Sequence, residues 1–357
     1  MFKKILCILM AAVLVLSFAA CKDEISLQTG SSDDYSYDQG ESSEPASTES
    51  EAPKNEVSSN SQTTSGDSKK CTNHNFVESE IITEPTTKIE GSKLLKCSKC
   101  GEEKTETIAK LVFKNNSIIT ENGVKKAVVK RINGSKINVN VVPNKVLFLG
   151  NSLLLGMSNY SYGMCATDAK NDYYYHVTQA ILKKNPNCKF ERAHIAHRFE
   201  AIENVKDFNE NILNLPWKNN GEKSPALGDL FTKDLDLIII QAGDNVNNAA
   251  RKAAFTETCG KFVELIKEKC PKARIIWVYG WYQASTVEQT VIDTCAKWEM
   301  ECISLASLHV PATEAKAGQP YETESGGNAI VNNDWITHPG NEGMKKVADA
   351  ILNKINL

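Results

Sequence analysis

Ser152 closes the run Val146-Leu147-Phe148-Leu149-Gly150-Asn151-Ser152, a small polar residue at the end of an apolar stretch. A hydroxyl in that position becomes a nucleophile only if a base takes its proton. His338, in Asp334-Trp335-Ile336-Thr337-His338-Pro339, is a base of the right kind, and Asp334 is a carboxylate close enough in sequence to orient its ring. A second apolar run ends in Gly243-Asp244-Asn245, where an amide beside a glycine turn can donate to an oxygen that gains negative charge. Serine, histidine and amide donor are the parts that acyl transfer requires. Each has a plain alternative when taken singly. Gly-Asn-Ser is also a helix N-cap, and a serine at a helix start would offer its own N–H to an oxyanion as well. Asn245 is followed by Asn247 and Asn248, so only the glycine spacing distinguishes it from a polar loop.

A second cluster carries different chemistry. Cys71-Thr72-Asn73-His74 is followed, after 22 residues, by Cys97-Ser98-Lys99-Cys100-Gly101. Two turns, each bearing two ligand-type side chains separated by two residues, match the spacing of a zinc ribbon. Three cysteines and one histidine satisfy tetrahedral zinc with no remainder, whereas a Cys97–Cys100 or Cys71–Cys97 disulfide would leave one thiol over. Four protein ligands leave no open position, so such a zinc is structural. The pattern resembles the small CxxH…CxxCG modules found beside other domains in bacterial surface proteins.

The elements that must position these groups follow from periodicity. Continuous apolar runs at 146–149, 235–241, 274–279 and 302–305 read as buried strands. Segments with helical spacing lie between and after them, at 171–184, 253–269, 287–298 and 343–355. Buried strands alternating with helices predict a parallel sheet covered on both faces, a three-layer α/β/α domain over 144–357. Sites in such sheets gather at the carboxyl ends of strands, where Ser152 and Asn245 both fall. Upstream, 113–143 alternates apolar and polar residues around Asn133-Gly134, which predicts a β-hairpin connector between this domain and the ribbon-like module at 71–112. The six remaining cysteines of the main domain (165, 188, 259, 270, 295, 302) lack metal spacing and read as buried small residues or a disulfide or two. Tyr173-Tyr174-Tyr175 and Trp281-Tyr282 read as core, with sugar stacking as the alternative.

The chain begins Met-Phe-Lys3-Lys4, then runs apolar to Phe18-Ala19-Ala20-Cys21. Basic start, short hydrophobic stretch and small residues read as a secretory leader over 1–20. Cys21 directly after Ala-Ala resembles the lipobox of bacterial lipoproteins, although Phe18 stands where leucine is usual, and a plain secretory peptide is the alternative. The resemblance implies an acylated Cys21 and a membrane-anchored protein outside the cytoplasm. Residues 21–70 are rich in Ser, Glu, Asp and Thr and cannot bury enough apolar surface to offset their ordering entropy, which predicts a disordered stalk. With 357 residues and a net charge of −3, the chain has room for one large domain plus accessories and gives no electrostatic reason to expect a nucleic-acid partner.

Gly150-Asn151-Ser152, Gly243-Asp244-Asn245 and His338-Pro339, in that order, resemble the blocks of the SGNH (GDSL-like) serine hydrolase superfamily. The resemblance implies a flavodoxin-like parallel sheet and an esterase in which Ser152 attacks and His338 is the base. Asp334 orients the ring, and Ser152, Gly243 and Asn245 form the oxyanion hole. It also implies an acyl ester on a carbohydrate as substrate, acetyl first among acyl groups, and no catalytic cofactor. The chain departs from the pattern twice. The family's aspartate stands three residues before the histidine, where this sequence has Trp335. Asp334 lies one position further, so a bulge or a Ser–His dyad supported by a backbone carbonyl is needed. The family's glycine after the second strand has no counterpart in Phe190–Glu200, where a backbone N–H near Ala196 or His197 would have to serve. His194 and His197 in that stretch are read as neighbours of the site or substrate contacts. A non-catalytic surface module that binds glycan or protein through the same cleft, and an acyltransferase using the same residues, are the competing functions.

Overall fold

The computed structural model describes residues 71–357 apart from 115–116, 157–160, 219–222, 283–284 and 323–327. The expected leader, stalk and Cys21 lie outside the described residues. Strands β1 (Phe76–Thr83), β2 (Gly91–Cys97) and β3 (Glu103–Ile108) form an antiparallel sheet with β2 at its centre. Cys97 ends β2, and the turn after it closes by a 2.9 Å bond from the Gly101 N–H to the Cys97 carbonyl, with Gly101 left-handed at φ 76°. A second antiparallel sheet follows, made of β4 (Ile118–Glu121), β5 (Val124–Lys130) and β6 (Lys136–Asn140). It contains the hairpin expected at Asn133-Gly134 and one strand more. The extra turn is Asn122-Gly123, whose φ values of 51° and 76° are those a tight two-residue hairpin demands. Ala127, Val129 and Val139 form its small core.

The parallel sheet expected over 144–357 is present. Strands β7 (Lys145–Gly150), β8 (Lys189–His194), β9 (Leu237–Gln241), β10 (Arg274–Tyr279) and β11 (Glu301–Ser304) pair in parallel in the order β8-β7-β9-β10-β11. Counted within the sheet, the order is 2-1-3-4-5, and its direction reverses between β7 and β9. Strands β9 and β10 are buried at every position, which accounts for their unbroken apolar sequences. Helix α1 (Tyr173–Lys184) connects β7 to β8, α2 (Ala249–Lys269) connects β9 to β10, and α3 (Ser285–Trp298) connects β10 to β11. Right-handed crossovers running in opposite directions put α1 on one face and α2 and α3 on the other. The closing helix α4 (Asn341–Ile355) packs on α1, and α2 packs on α3. Asp172 caps α1 by accepting the Tyr175 N–H, and Asn248 caps α2 by accepting that of Arg251. A short hairpin, β12 (Pro320–Glu322) and β13 (Asn328–Ile330), precedes α4 and was not expected from the sequence.

Phe199, Phe255, Phe262 and Trp277 pack ring to ring beneath α2, with centroids 4.5 to 6.5 Å apart. Burying side chains of this size contributes about 1.5–3 kcal/mol each. The six main-domain cysteines are free thiols, and all but Cys302 are buried. At the far end of the sheet, Arg274 meets Glu301 in a bidentate pair of 2.6 and 2.7 Å. The same guanidinium donates to the carbonyls of Lys354 and Ile355 and so ties down the end of α4.

Candidate active site

Ser152 and Asn245 leave neighbouring strands at the point where the sheet order reverses, since Gly150 of β7 is in register with Gln241 of β9. Open α/β sheets place their ligand crevice there. Gly150 is required by close approach: a Cβ would lie 2.6 Å from that of Leu154 and 3.1 Å from the Gln241 amide oxygen. A single turn follows Ser152, with Leu154 and Leu155 donating to the Asn151 carbonyl at 3.0 Å, and α1 begins only at Tyr173. The helix start expected at Ser152 is therefore one helical turn and no more.

Ser152 Oγ lies 3.1 Å from Nε2 of His338, the contact a nucleophile and its base need. Ser152 is 8% exposed, so the hydroxyl sits just below the surface. The histidine loop is held from several sides. Ala315 donates to the His338 carbonyl at 2.8 Å, Gly340 donates to Thr313 at 2.9 Å, and the Trp281 indole donates to the Thr337 carbonyl at 2.8 Å. Tyr282 meets the His338 ring edge-on at 5.6 Å. Burial pushes the His338 pKa down to about 4, the Trp335 carbonyl opposes the shift, and His309 adds to it. The imidazole is thus neutral, and able to accept a proton, throughout the neutral range.

The structure corrects the reading of Asp334. Its carboxylate is exposed on the short turn Asn333–Trp335 and does not hydrogen-bond to His338. The reason is local geometry: the His338 N–H bonds back to the Trp335 carbonyl at 2.9 Å, and this turn brings a carbonyl beside the ring in place of the acid. Nδ1 of His338 is buried and makes no hydrogen bond of ordinary geometry.

The amide side of the site also differs from expectation. Gly243 and Asn245 face a carboxylate, that of Glu200, which is only 1% exposed. Glu200 Oε1 accepts from the Gly243 N–H at 2.5 Å, from the Asn151 amide at 3.2 Å and from the Asn245 N–H at 3.4 Å. Its Oε2 accepts from the Asn245 side-chain amide at 2.8 Å. The Gly243 N–H is therefore committed to Glu200, and its part in the site is conformational, at a φ of +126° that side-chain-bearing residues rarely adopt. Asp244 accepts from Gln241 at 2.7 Å, from the Tyr282 N–H at 3.2 Å and, at 3.4 Å, from the Asn151 amide that Glu200 also engages. Burial raises the pKa of both Glu200 and Asp244, while the amide contacts pull them back.

Residues Ala196–Glu200 form one wide helical turn after β8, at the position where the family glycine was sought. The turn delivers Glu200. His194 and His197 lie ring against ring at 4.7 Å, and burial takes His194 down to about 3. His309 was not singled out in the sequence, yet it stacks on Trp281 at 4.9 Å and reaches Glu314 at 2.8 Å. Tyr173 and Trp281 are fully buried, as a core reading expects, whereas Tyr174, Tyr175 and Tyr282 are only half-buried.

Cys71, His74, Cys97 and Cys100 converge, with all four ligand atoms within 4.8 Å of one another. Burial raises the Cys97 thiol, but N–H groups of Lys99, Cys100 and Asn75 outweigh it and bring the pKa down to about 6. A thiolate favoured in this way is what a divalent soft-to-borderline ion needs. His74 turns Nδ1 toward Cys100 Sγ, 3.3 Å away, and its Nε2 lies 3.5 Å from the Glu102 carboxylate. A carboxylate on the outer nitrogen fixes ring and tautomer, as around many metal ligands. Donor set and convergence fit a four-coordinate metal.

No family model matches the sequence, and no curated protein matches it. Among solved structures, the chain is similar to a family two carbohydrate esterase from Cellvibrio japonicus, at 14% identity over 62% of this chain and 65% of that one, with a TM-score of 0.38. It is also similar to an acetyl xylan esterase from Butyrivibrio proteoclasticus, at 15% identity over 63% of this chain and 67% of that one, TM-score 0.34. A structure from Bacteroides ovatus described as a GDSL-like lipase matches at 12% identity over 60% of this chain and 98% of that one, TM-score 0.35. The chain thus spans about two thirds of the length of the two carbohydrate esterases.

Proposed function

We propose that this chain is a serine esterase that removes acyl groups, acetyl first among them, from a carbohydrate or a related ester. The observation that carries the reading is the 3.1 Å contact between Ser152 and a half-buried, neutral His338 at the reversal point of a parallel sheet. In the reaction, Ser152 Oγ attacks the ester carbonyl while His338 Nε2 takes its proton. The tetrahedral oxyanion is held by the Ser152 N–H and the Asn245 amide, and such a donor is typically worth about 3 kcal/mol of barrier. Collapse expels the alcohol, which takes the proton from His338. Water then enters with His338 again as base and releases the carboxylic acid from Ser152. The site works as a Ser–His dyad, with the Trp335 carbonyl near the ring where a triad has its acid. Labelling of the full chain by a fluorophosphonate tests this. The wild type should incorporate one label on Ser152, Ser152→Ala and His338→Ala should incorporate none, and labelling that persists in Ser152→Ala rejects the assignment in favour of a glycan- or protein-binding module.

Cys71, His74, Cys97 and Cys100 would hold one structural Zn²⁺, whose role is to tie the two turns of a module too small to fold on its own core. The leader and the Ala-Ala-Cys21 sequence support an extracytoplasmic protein anchored by acylation of Cys21. Cys21→Ala should release it from membranes or leave the precursor uncut. Unchanged membrane retention with normal cleavage speaks against the anchor.

A further inference from the structure

Glu200 is the most buried carboxylate beside the site and the acyl-transfer scheme above gives it nothing to do. Burying a carboxylate costs several kcal/mol unless its lone pairs are filled. A residue serving only to pack the turn after β8 could be apolar, as its neighbour Phe199 is. Glu200 instead accepts from three residues on two separate parts of the chain. These are Asn151, next to the nucleophile, and Gly243 and Asn245, on the loop after β9. An ionised carboxylate only accepts, so Glu200 dictates the orientation of the Asn245 amide and, together with Asp244 at 3.4 Å, that of Asn151: each must turn NH₂ toward the carboxylates and its oxygen away. The Asn151 oxygen, turned away, accepts the Leu153 N–H at 3.1 Å and shapes the Ser152 turn. The Asn245 NH₂ has two hydrogens, and Glu200 uses one of them.

We propose that Glu200 is a positioning residue for the esterase site, clamping the nucleophile turn to the Asn245 turn and aiming the second Asn245 amide hydrogen at the acyl oxygen. The inference rests on the esterase reading of Ser152 and His338. It places the work of Glu200 in the transition state, through Asn245, and gives it no contact with substrate.

The test is steady-state hydrolysis of 4-nitrophenyl acetate by the full chain, with melting temperature recorded for each variant. Glu200→Gln is nearly isosteric but presents an NH₂ group toward one of its donors. It should lower kcat about 10²-fold, the scale of losing one oxyanion donor, with KM little changed. In an Asn245→Ala background, the same substitution should cost about threefold or less, because two residues acting as one unit are not additive. Glu200→Gln combined with Asn245→Asp reverses donor and acceptor; it should recover melting temperature lost by Glu200→Gln but none of the kcat. Should Glu200→Gln not fold, Glu200→Asp, which keeps the acceptor and shortens its reach, is read in the same two backgrounds. A Glu200 variant with wild-type kcat overturns the inference. So does a loss of equal size with and without Asn245, the mark of a purely structural role. If the wild type hydrolyses the ester no faster than Ser152→Ala, the esterase reading itself fails and this one with it.

Discussion

His338 lies half-buried next to Ser152, its Nδ1 shut off from solvent, with a carbonyl near the side of the ring where a carboxylate was expected. Two consequences follow at the level of single residues. Burial holds its folded pKa near 4, against about 6.5 in the unfolded chain. Between those values the unfolded chain binds a proton that the native protein does not. This group therefore costs stability as pH falls from about 6.5 to about 4, and below that adds no further change. The free base persists over the same range, so kcat/KM on an aryl acetate should stay flat from pH 7 to about 5 and fall by half only near 4. Asp334→Asn should give a superimposable profile and lose about threefold or less, where a true triad aspartate costs about 10⁴. A profile with its acid limb at pH 6.5, or an Asp334→Asn variant crippled at all pH values, would restore the carboxylate to the site.

At the level of elements, the sequence carries four of the five strands and the helices of the main domain almost to their ends, because their burial is written in local periodicity; β8, exposed or half-buried from Lys189 to Arg192, is not among the apolar runs. Strand β10 was read as Arg274–Tyr279 and is that. Ser152, Asn245 and His338 were legible for a related reason: each sits on a turn directly after or before a regular element. Glu200 was not. Its partners lie about 50 and 45 positions away, and nothing local distinguishes it from a surface glutamate. The same holds for Arg274, which reads as a strand end, and Glu301, which lies just outside the run read as the last strand; they prove to be a buried pair, 2% and 3% exposed. Their pairing ties β10 and β11 to the last carbonyls of α4. Arg274→Ala strands both a buried carboxylate and those carbonyls, so it should destabilise by about 3–5 kcal/mol in chemical denaturation. Replacing Arg274 and Glu301 together by Met and Leu should recover most of that loss. A single variant with near-native stability would show that water reaches the pair.

Across the described part of the molecule, the Cys/His cluster module and the parallel sheet are joined through α3. Thr87 donates its N–H and hydroxyl to Asp293 at 2.8 and 2.7 Å, Gln289 donates to Thr87 at 2.9 Å, and Lys297 pairs with Glu84. These contacts are few and polar; Thr87, Asp293 and Gln289 are half-buried, and the exposed Lys297–Glu84 pair contributes little. The ribbon sheet buries little apolar surface of its own: among its strands, only Leu95 and Cys97 are buried apolar side chains. The parallel sheet, by contrast, has a continuous core from Val141 to Ile355. The two should therefore fail separately. Treating the protein with a strong chelator under reducing conditions should release about one zinc per chain and expose the 71–112 module to trypsin. Hydrolysis of a small aryl ester should change by less than about twofold, because the sites share no packed side chain and distant perturbations act independently. Zinc release with trypsin resistance intact would place the module's stability elsewhere. Activity lost in step with the metal would mean that α3, which starts just after Trp281 and Tyr282, transmits the state of the ribbon to the histidine loop.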